Sequence, residues 1–216
     1  MHVQREELKC PFLALVGPNG GGKSTIARHL VEVLRSEGRE VVLTREPGGS
    51  PGAEEIRRLI LEGDADRWSA TTEVLLFMAA RRDHLERTIW PALERGIIVV
   101  SDRYLDDTRV FQTVTNPAMA EMIEGIVRAC GIPEAHHTFL IDVPAEVSKQ
   151  RMNLRAGIAE ADRFEIMGDD FDEKVRQRYL AVAKANLHRV TIIDGARAFD
   201  EVLAEVVALV HTELTS

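Results

Sequence analysis

The chain has 216 residues and a net charge of −8, from 27 basic and 35 acidic residues. This acidic balance argues against a nucleic-acid polymer as the main ligand, because phosphate backbones attract basic surfaces. The charged segment 1–9 lacks the apolar core of a signal peptide, and no apolar run reaches membrane-spanning length, so we expect a cytoplasmic protein without a membrane partner. Cys10 and Cys130 form neither a CxxC pair nor a zinc-type spacing and are expected to be free thiols.

Short apolar runs alternate with helical patterns along the chain. We predict strands at 12–16, 41–43, 97–100, 138–141 and 190–193. We predict helices at 23–35, from about 53, at 69–93 with a break or kink at Pro91, and at 117–129, 144–155, 171–187 and 199–211. This alternation predicts one α/β domain over residues 1–216, with a five-stranded parallel sheet covered by helices on both faces. Ligands of such a sheet gather at the carboxyl ends of its strands.

The first strand runs directly into a glycine-rich turn and a helix. The segment from Gly17 to Ser24 matches the phosphate-loop template G-x-x-x-x-G-K-[ST] without a mismatch. Glycines let backbone N–H groups converge on phosphate oxygens, and the helix N-terminus adds the positive end of its dipole. Lys23 is expected to reach the β- and γ-phosphates, and the Ser24 hydroxyl to coordinate Mg²⁺. The residues predicted to bind ATP are Gly17, Pro18, Asn19, Gly20, Gly21, Gly22, Lys23, Ser24 and Thr25.

The long helix over 69–93 carries an aromatic and a basic residue on one face. Phe77 and Arg81 are four residues apart, so their side chains could stack on a base and hydrogen-bond to it. The alternative, a core phenylalanine beside an ion-paired arginine, is favoured on these residues alone. The seven histidines are scattered and are assigned no role.

Charged clusters follow the second, third and fourth strands, where a parallel sheet gathers its ligands. They are the TREPGG segment, Asp102-Arg103-Tyr104 and Asp142. Asp102 has two interpretations: it binds Mg²⁺, directly or through water, or it caps the next helix. We favour the metal because a phosphate loop precedes it in the chain.

Three arginines follow the fourth strand. Arg151 and Arg155 are four residues apart on a predicted helix, and Arg163 lies beyond the glycine that ends it. Like charges on one face suit a mobile lid, at about 151–165, that closes over a polyphosphate. The alternative is a solvated helix end, where positive charge is favourable in any case.

Six segments, taken together, are more specific than the phosphate loop alone. They are GPNGGGKST, TREPGGSPGAEEIR, LLFMAARRDH, SDRYLDDTRVFQ, IDVPAEVSKQRMNLR and DRFE. In their order and spacing the chain resembles the thymidylate (dTMP) kinases over about residues 12–195. The resemblance implies the three-layer P-loop kinase fold, a homodimer, and Mg²⁺-dependent transfer of the γ-phosphoryl group of ATP to dTMP.

The resemblance also implies roles for individual residues. The implied catalytic residues are Lys23, Asp102, Arg151, Arg155 and Arg163, and the implied Mg²⁺ ligands are Ser24 and Asp102. The implied contacts to the acceptor nucleotide are Asn19, Arg45, Phe77, Arg81, Arg103, Thr108, Phe111 and Gln112. Among these, Arg45 and Arg103 match arginines that hold the monophosphate. Phe77 matches the aromatic ring stacked on thymine and Arg81 the arginine that contacts its edge. Thr108, Phe111 and Gln112 fall in a loop that completes the pocket.

The chain departs from the family pattern around the acceptor. Val16 and Asn19 stand where the family usually has acidic residues, Ala80 where an acid is frequent, and Phe111 where bacterial members commonly have tyrosine. The segment 106–108 replaces a serine-containing stretch and is expected to add two negative charges by the pocket. Two alternatives follow: a member acting on a different or modified nucleoside monophosphate, or a catalytically weak nucleotide-binding regulator. Under the first, replacing Asn19 with Asp is expected to raise turnover on dTMP.

The sequence lacks the signature motifs of two other classes of phosphate-loop protein. Transporter ATPases need an LSGGQ-like motif and an apolar strand ending in Asp-Glu, and GTPases need an NKxD-type guanine contact. The sequence has none of these motifs.

Overall fold

The sheet consists of five parallel strands. The computed structural model describes residues 11–64, 66–114, 116–155 and 169–215. The strands are β1 (Phe12–Val16), β2 (Val41–Arg45), β3 (Ile98–Asp102), β4 (His137–Asp142) and β5 (Val190–Asp194). Their order in space is β2-β3-β1-β4-β5, and every neighbouring pair is parallel. The predicted sheet is confirmed.

Helices cover both faces of this sheet within the described residues. They are α1 (Lys23–Ser36), α2 (Pro51–Leu61), α3 (Ala70–His84), α4 (Trp90–Glu94), α5 (Leu105–Val114), α6 (Met119–Ala129), α7 (Ala145–Arg155), α8 (Asp169–Lys184) and α9 (Phe199–Glu213). Successive residues of a strand point to opposite faces, and β1 is buried on both. Phe12 and Ala14 pack with residues of α3, α5, α6 and α8, while Leu13 and Leu15 pack with residues of α1 and α9. The central strand therefore joins two hydrophobic cores.

The predicted long helix is interrupted before its proline. Helix α3 ends at His84, a π-helical turn covers Leu85–Ile89, and α4 begins at Trp90. Pro91 has no N–H to donate to the carbonyl of Arg87, four residues earlier, so the regular helical hydrogen bonding cannot continue through this point.

Helix α5 corrects the sequence-based expectation. Thr108, Phe111 and Gln112 were expected in a loop, and instead they lie on this ten-residue helix. The sequence does not show the apolar periodicity expected of a helix, because the buried side of α5 contains polar residues as well as apolar ones. The buried polar residues are Asp106, Asp107, Thr108 and Gln112. The burial of these polar groups is made possible by ionic and hydrogen-bond partners from distant segments, which no local pattern reveals.

The strand register gathers the ends of three strands at one edge of the sheet. Asp102 is aligned with Leu15 on one side and with Arg45 on the other. The carboxyl ends of β1, β3 and β2 thus lie side by side beside the phosphate loop. Among the described residues, no helix is both long and apolar enough to cross a lipid bilayer.

Candidate active site

The phosphate loop, residues 17–25, connects β1 to α1. A Cβ atom added at Gly17 or Gly20 would come within 2.5 Å of the carbonyl oxygens of Ile141 and Ser148, so β4 and α7 leave room only for glycine. Gly22 has φ 86° and is the N-cap residue of α1, so it has no side chain with which to cap that helix N-terminus. Backbone N–H groups at a helix N-terminus bind anions.

Lys23 lies against this loop. Its side chain is buried, and Nζ donates a hydrogen bond to the carbonyl oxygen of Pro18 at 2.7 Å. The ammonium group is thus held beside the backbone that would bind phosphate. Lys23 is positioned to add its charge to the same anion.

Ser24 and Asp102 meet next to the loop. The Ser24 hydroxyl donates to Oδ2 of Asp102, and Oδ1 of Asp102 is buried without a hydrogen-bond partner among the described residues. The carboxylate therefore contacts the phosphate-loop serine rather than capping α5. Hydroxyl and carboxylate oxygens suit Mg²⁺, and the orphaned Oδ1 is the kind of atom a cation would satisfy.

A cleft and a pocket open at this edge of the sheet. The phosphate-loop cleft is lined by residues that include Lys23, Ser24, Arg45, Asp102 and Arg103. The aromatic pocket, about 590 Å³ with its open mouth, is lined by Asn19, Glu46, Pro47, Arg57, Leu61, Phe77, Arg81, Arg103, Tyr104, Asp107, Thr108, Phe111 and Gln112. It brings together seven of the eight residues predicted to contact an acceptor. The eighth, Arg45, lies in the cleft, while Asn19 and Arg103 line both spaces.

A buried ion pair forms one wall of the aromatic pocket. Arg81 Nε donates to Oε2 of Glu46 at 2.7 Å, and Arg81 Nη2 donates to the Thr108 hydroxyl at 3.0 Å. The other Glu46 oxygen lies 3.0 Å from Nδ1 of His84, whose Nε2 lies 2.6 Å from the Thr44 hydroxyl. Arg81 is ion-paired, as the plainer sequence interpretation held, and it still lines the pocket beside Phe77. The guanidinium of Arg81, on α3, is thus fixed from the segment after β2 and from α5 at once.

Arg103 lies between the cleft and the pocket. One Nη donates to Oδ1 of Asn19 and the other to Oδ1 of Asp107, and the guanidinium lies 5.6 Å from the centre of the Phe111 ring. The Tyr179 hydroxyl donates to the same Asp107 oxygen at 2.6 Å. Burial raises the pKa of Asp107 above its ordinary value, although Arg103, Lys23 and Tyr179 act in the opposite direction.

The two aspartates of α5 do not act as the expected pair of negative charges. Asp106 accepts two hydrogen bonds from Arg189, at 2.7 and 2.9 Å, and does not line the pocket. Burial alone would raise the pKa of Asp106, but Arg189 and Arg109 outweigh it and hold that pKa below its ordinary value. Asp107 does line the pocket, where Arg103 offsets its charge. The expectation of two added charges by the pocket was wrong, because only Asp107 lines it and Asp106 is paired with Arg189 away from it.

Arg45 is the most open of the predicted contacts. Its Nη2 lies 3.1 Å from Oε2 of Glu54, and more than half of its side chain is exposed. Burial would raise the pKa of Glu54, but the Gly49 N–H group and Arg45 hold it below its ordinary value. The pair keeps Arg45 at the rim of the phosphate-loop cleft.

The lid arginines are only partly described. Arg151 donates from Nη2 to the carbonyl oxygen of Gly195 at 3.0 Å, beyond the end of β5. The side chain of Arg155 and all of Arg163 lie outside the described residues. The predicted lid over about 151–165 therefore stays a prediction.

Sequence reasoning missed several residues of the site. Glu46, His84 and Tyr179 received no role, although Glu46 stands in the charged TREPGG segment that follows the second strand, and Asp107 was expected only to add a negative charge. Their contacts span 35 to 72 positions of the chain, so only the fold brings them together. Cys130 is an exposed free thiol, as expected, and Cys10 lies outside the described residues.

Comparisons with known proteins agree on one family. The model of the thymidylate kinase family matches residues 15–206. A thymidylate kinase of Ruegeria pomeroyi is 49% identical over 203 residues, which cover 94% of this chain and 95% of that protein. Another, of Dinoroseobacter shibae, is 49% identical over 197 residues, which cover 91% of this chain and 94% of that protein.

A solved structure supports the same assignment. The crystal structure of thymidylate kinase from Ehrlichia chaffeensis superposes with a TM-score of 0.74 at 28% identity. The superposition covers 93% of this chain and 98% of the Ehrlichia chaffeensis chain. This likeness confirms the predicted P-loop kinase fold. The alternatives of a different acceptor or a weak regulator gain no support from these comparisons over the main interpretation. The chain belongs to the thymidylate kinase family, a family of nucleoside monophosphate kinases.

Proposed function

We propose that the chain transfers the γ-phosphoryl group of ATP to dTMP, giving dTDP and ADP. The observation that carries this proposal is the position of Arg103 and Asn19, which line both the phosphate-loop cleft and the aromatic pocket. A triphosphate on the loop and a nucleotide in the pocket would then present their phosphates to each other at Arg103. Such a transfer depends mainly on in-line positioning and charge neutralisation.

The donor side consists of the phosphate loop and two oxygen ligands. The N–H groups of residues 17–25 would bind the ATP phosphates, with Lys23 against the β- and γ-phosphates. Ser24 and Asp102 would hold Mg²⁺, since Oδ1 of Asp102 lacks a hydrogen-bond partner within the described residues. When bound, Mg²⁺ would neutralise charge on the β- and γ-phosphoryl oxygens.

The acceptor side needs no strong general base. The second pKa of a phosphate monoester is about 6, so the dTMP phosphate is already anionic near neutral pH. Arg103 and Arg45 would bind it, and Asn19 would fix Arg103 from the phosphate loop. Phe77 would stack on thymine, while Arg81, held by Glu46 and Thr108, would contact its edge.

The lid arginines complete the proposal. Arg151, Arg155 and Arg163 would bring positive charge to the transferring phosphoryl group as residues 151–165 close. Closure would also exclude water, which otherwise competes with the acceptor and hydrolyses ATP.

An ADP-release assay over a panel of monophosphates tests this function. The panel contains dTMP, dUMP, dCMP, dAMP, dGMP and UMP, each at equal concentration with ATP and Mg²⁺, and a reaction without acceptor. ADP release that depends on dTMP supports the proposal, and identification of dTDP by mass spectrometry ties release to transfer. ATP hydrolysis that is independent of the acceptor, or preference for another monophosphate, contradicts it.

Three further predictions belong to the same proposal. A single domain and a cytoplasmic location are expected from the sequence pattern, and a homodimer is implied by the family resemblance. Light scattering on the purified protein checks the homodimer. A mass of two chains, about 48 kDa from the 24.1 kDa chain, is expected.

A further inference from the structure

Four side chains from four separate segments meet beside the aromatic pocket. Asn19 belongs to the phosphate loop, Arg103 follows β3, Asp107 is in the first turn of α5, and Tyr179 is in α8. Arg103 donates to Asn19 and to Asp107, and Tyr179 donates to Asp107 at 2.6 Å. The four residues form one continuous hydrogen-bonded group, called here the Arg103 cluster.

The backbone of Arg103 is fixed as well as its side chain. Its φ is 72°, a conformation that non-glycine residues seldom adopt. The N–H group of Arg103 donates to the carbonyl oxygen of Leu15 at 2.9 Å, and its own carbonyl accepts from the Ser101 hydroxyl at 2.7 Å. Backbone strain of this kind concentrates at functional positions.

The cluster orients the guanidinium and leaves part of it available. A guanidinium has five N–H donors in a fixed plane. Within the part of the chain that the structure describes, the bonds to Asn19 and Asp107 use one N–H on each Nη. Two fixed bonds define the plane, and three donors remain for an anionic ligand.

The two acceptors of this guanidinium carry one negative charge between them. Asp107 is a carboxylate, and Asn19 is a neutral amide. A second carboxylate, at position 19, would contact the same guanidinium, and its negative charge would repel an approaching phosphate. The geometry therefore makes the charges at positions 19 and 107 interdependent.

We propose that Asp107 is a positioning residue for the acceptor nucleotide: its carboxylate, held by Tyr179, fixes the guanidinium of Arg103 for the acceptor's phosphate, in place of an acid at position 19. This inference rests on the proposed function, because it takes Arg103 as a ligand of that phosphate. It reverses the sequence-based expectation for Asn19→Asp, which now applies only when Asp107 is neutralised at the same time.

The test compares KM for dTMP, KM for ATP and kcat across variants of the cluster. Asp107→Ala is expected to raise KM for dTMP about tenfold, the effect of losing a charge-assisted hydrogen bond, with KM for ATP unchanged. Asp107→Asn keeps an oxygen acceptor of the same size and is expected to stay within about threefold of the wild type. Tyr179→Phe removes one hydroxyl and is expected to raise KM for dTMP about threefold.

A charge exchange gives the sharpest comparison. Asn19→Asp alone is expected to raise KM for dTMP, because two carboxylates then share Arg103. The double variant Asn19→Asp/Asp107→Asn carries one carboxylate again and is expected to return KM towards the wild-type value. This pair decides the question even if Asp107→Ala does not fold. A double variant that is no better than Asn19→Asp overturns the inference.

Two controls distinguish a positioning role of Asp107 from a purely structural one. Asp106→Asn changes the neighbouring buried carboxylate, which does not line the pocket, and is expected to lower thermal stability without changing KM for dTMP. If the Asp107 variants also lower only thermal stability, Asp107 is structural and the inference is wrong. Arg103→Ala is expected to raise KM for dTMP and to abolish any further effect of Asp107→Ala. An unchanged KM in Arg103→Ala contradicts the role of Arg103 itself and with it the inference, whereas an Asp107 effect that persists in that background contradicts the inference alone.

Discussion

The phosphate-loop cleft and the aromatic pocket lie next to each other, but they are built in different ways. All the residues predicted to bind ATP come from the consecutive segment 17–25, which contributes Lys23 and Ser24 to the cleft. Of the two predicted Mg²⁺ ligands, only Asp102 comes from elsewhere. The pocket is assembled from the phosphate loop, the segments after β2 and β3, and helices α2, α3 and α5. Its polar groups are buried and depend on partners that are distant in the chain. A substitution in the cleft should therefore affect transfer to any acceptor, whereas one in the pocket should affect both stability and the choice of acceptor.

The largest effect is expected at the buried ion pair of the pocket. Arg81→Met leaves the Glu46 carboxylate buried without its guanidinium partner, and breaking such a pair costs about 3–5 kcal/mol of unfolding free energy. Chemical denaturation measures this loss. The double variant Arg81→Met/Glu46→Gln should recover much of the stability and still show weak discrimination among monophosphates. Full recovery of both properties would show that Arg81 serves only the fold.

The next effect is expected in the cleft. Lys23→Ala removes a charge placed to stabilise the transferring phosphoryl group, so kcat should fall by about 10²–10³-fold, as when one donor to a developing charge is lost. The factor should be the same for every acceptor that the wild type uses, which steady-state kinetics with two monophosphates can measure. If kcat falls by strongly different factors with the two acceptors, the proposed difference between cleft and pocket is contradicted.

A smaller effect is expected at Asp106, in the first turn of helix α5, which does not line the pocket. Asp106→Asn removes the charged partner of Arg189 and should lower the unfolding free energy near pH 7 by about 1–3 kcal/mol. Because the pKa of Asp106 is held below its ordinary value of 3.8, its contribution is present above that pH and is lost as the pH falls towards the pKa of the folded state. The wild type should thus lose more stability on acidification below pH 3.8 than the variant does. Denaturation measured at several pH values below 3.8 gives the unfolding free energy of each protein as a function of pH. If that free energy falls equally steeply with pH in the wild type and the variant, the role of Asp106 is contradicted.

The smallest effect is expected at the exposed pair on the rim of the cleft. Glu54→Gln removes the charge opposite Arg45, and exposed ion pairs contribute less than about 1 kcal/mol. The unfolding free energy should change by no more than that, with KM for dTMP altered only slightly. A large stability loss would place Glu54, through its bond to the Gly49 N–H group, among the structural residues of the pocket loop.

The difference between cleft and pocket also separates what was predictable from what was not. The five strands, most helices and the phosphate loop were predicted from patterns within short segments of chain. The sheet confirms the strands, and most of the predicted helices are present. Helix α5 was missed because its buried face contains Asp106, Asp107 and Thr108, which resemble loop residues when their partners are unknown. The resemblance to the family named Arg81 and Arg103, but it gave no role in holding them to Glu46 or Asp107.

The sequence by itself determined the phosphate loop, because Gly17, Lys23 and Ser24 act through the local geometry of one turn and the helix that follows. Only the tertiary structure decided the environment of Asn19, whose partner Arg103 lies 84 positions away, and of Asp107, whose partner Tyr179 lies 72 positions away. A carboxylate in water needs no partner, but a buried one requires hydrogen bonds and an opposite charge. Those partners are supplied by packing β3, α5 and α8 around one point, and no pattern in a short segment specifies that arrangement.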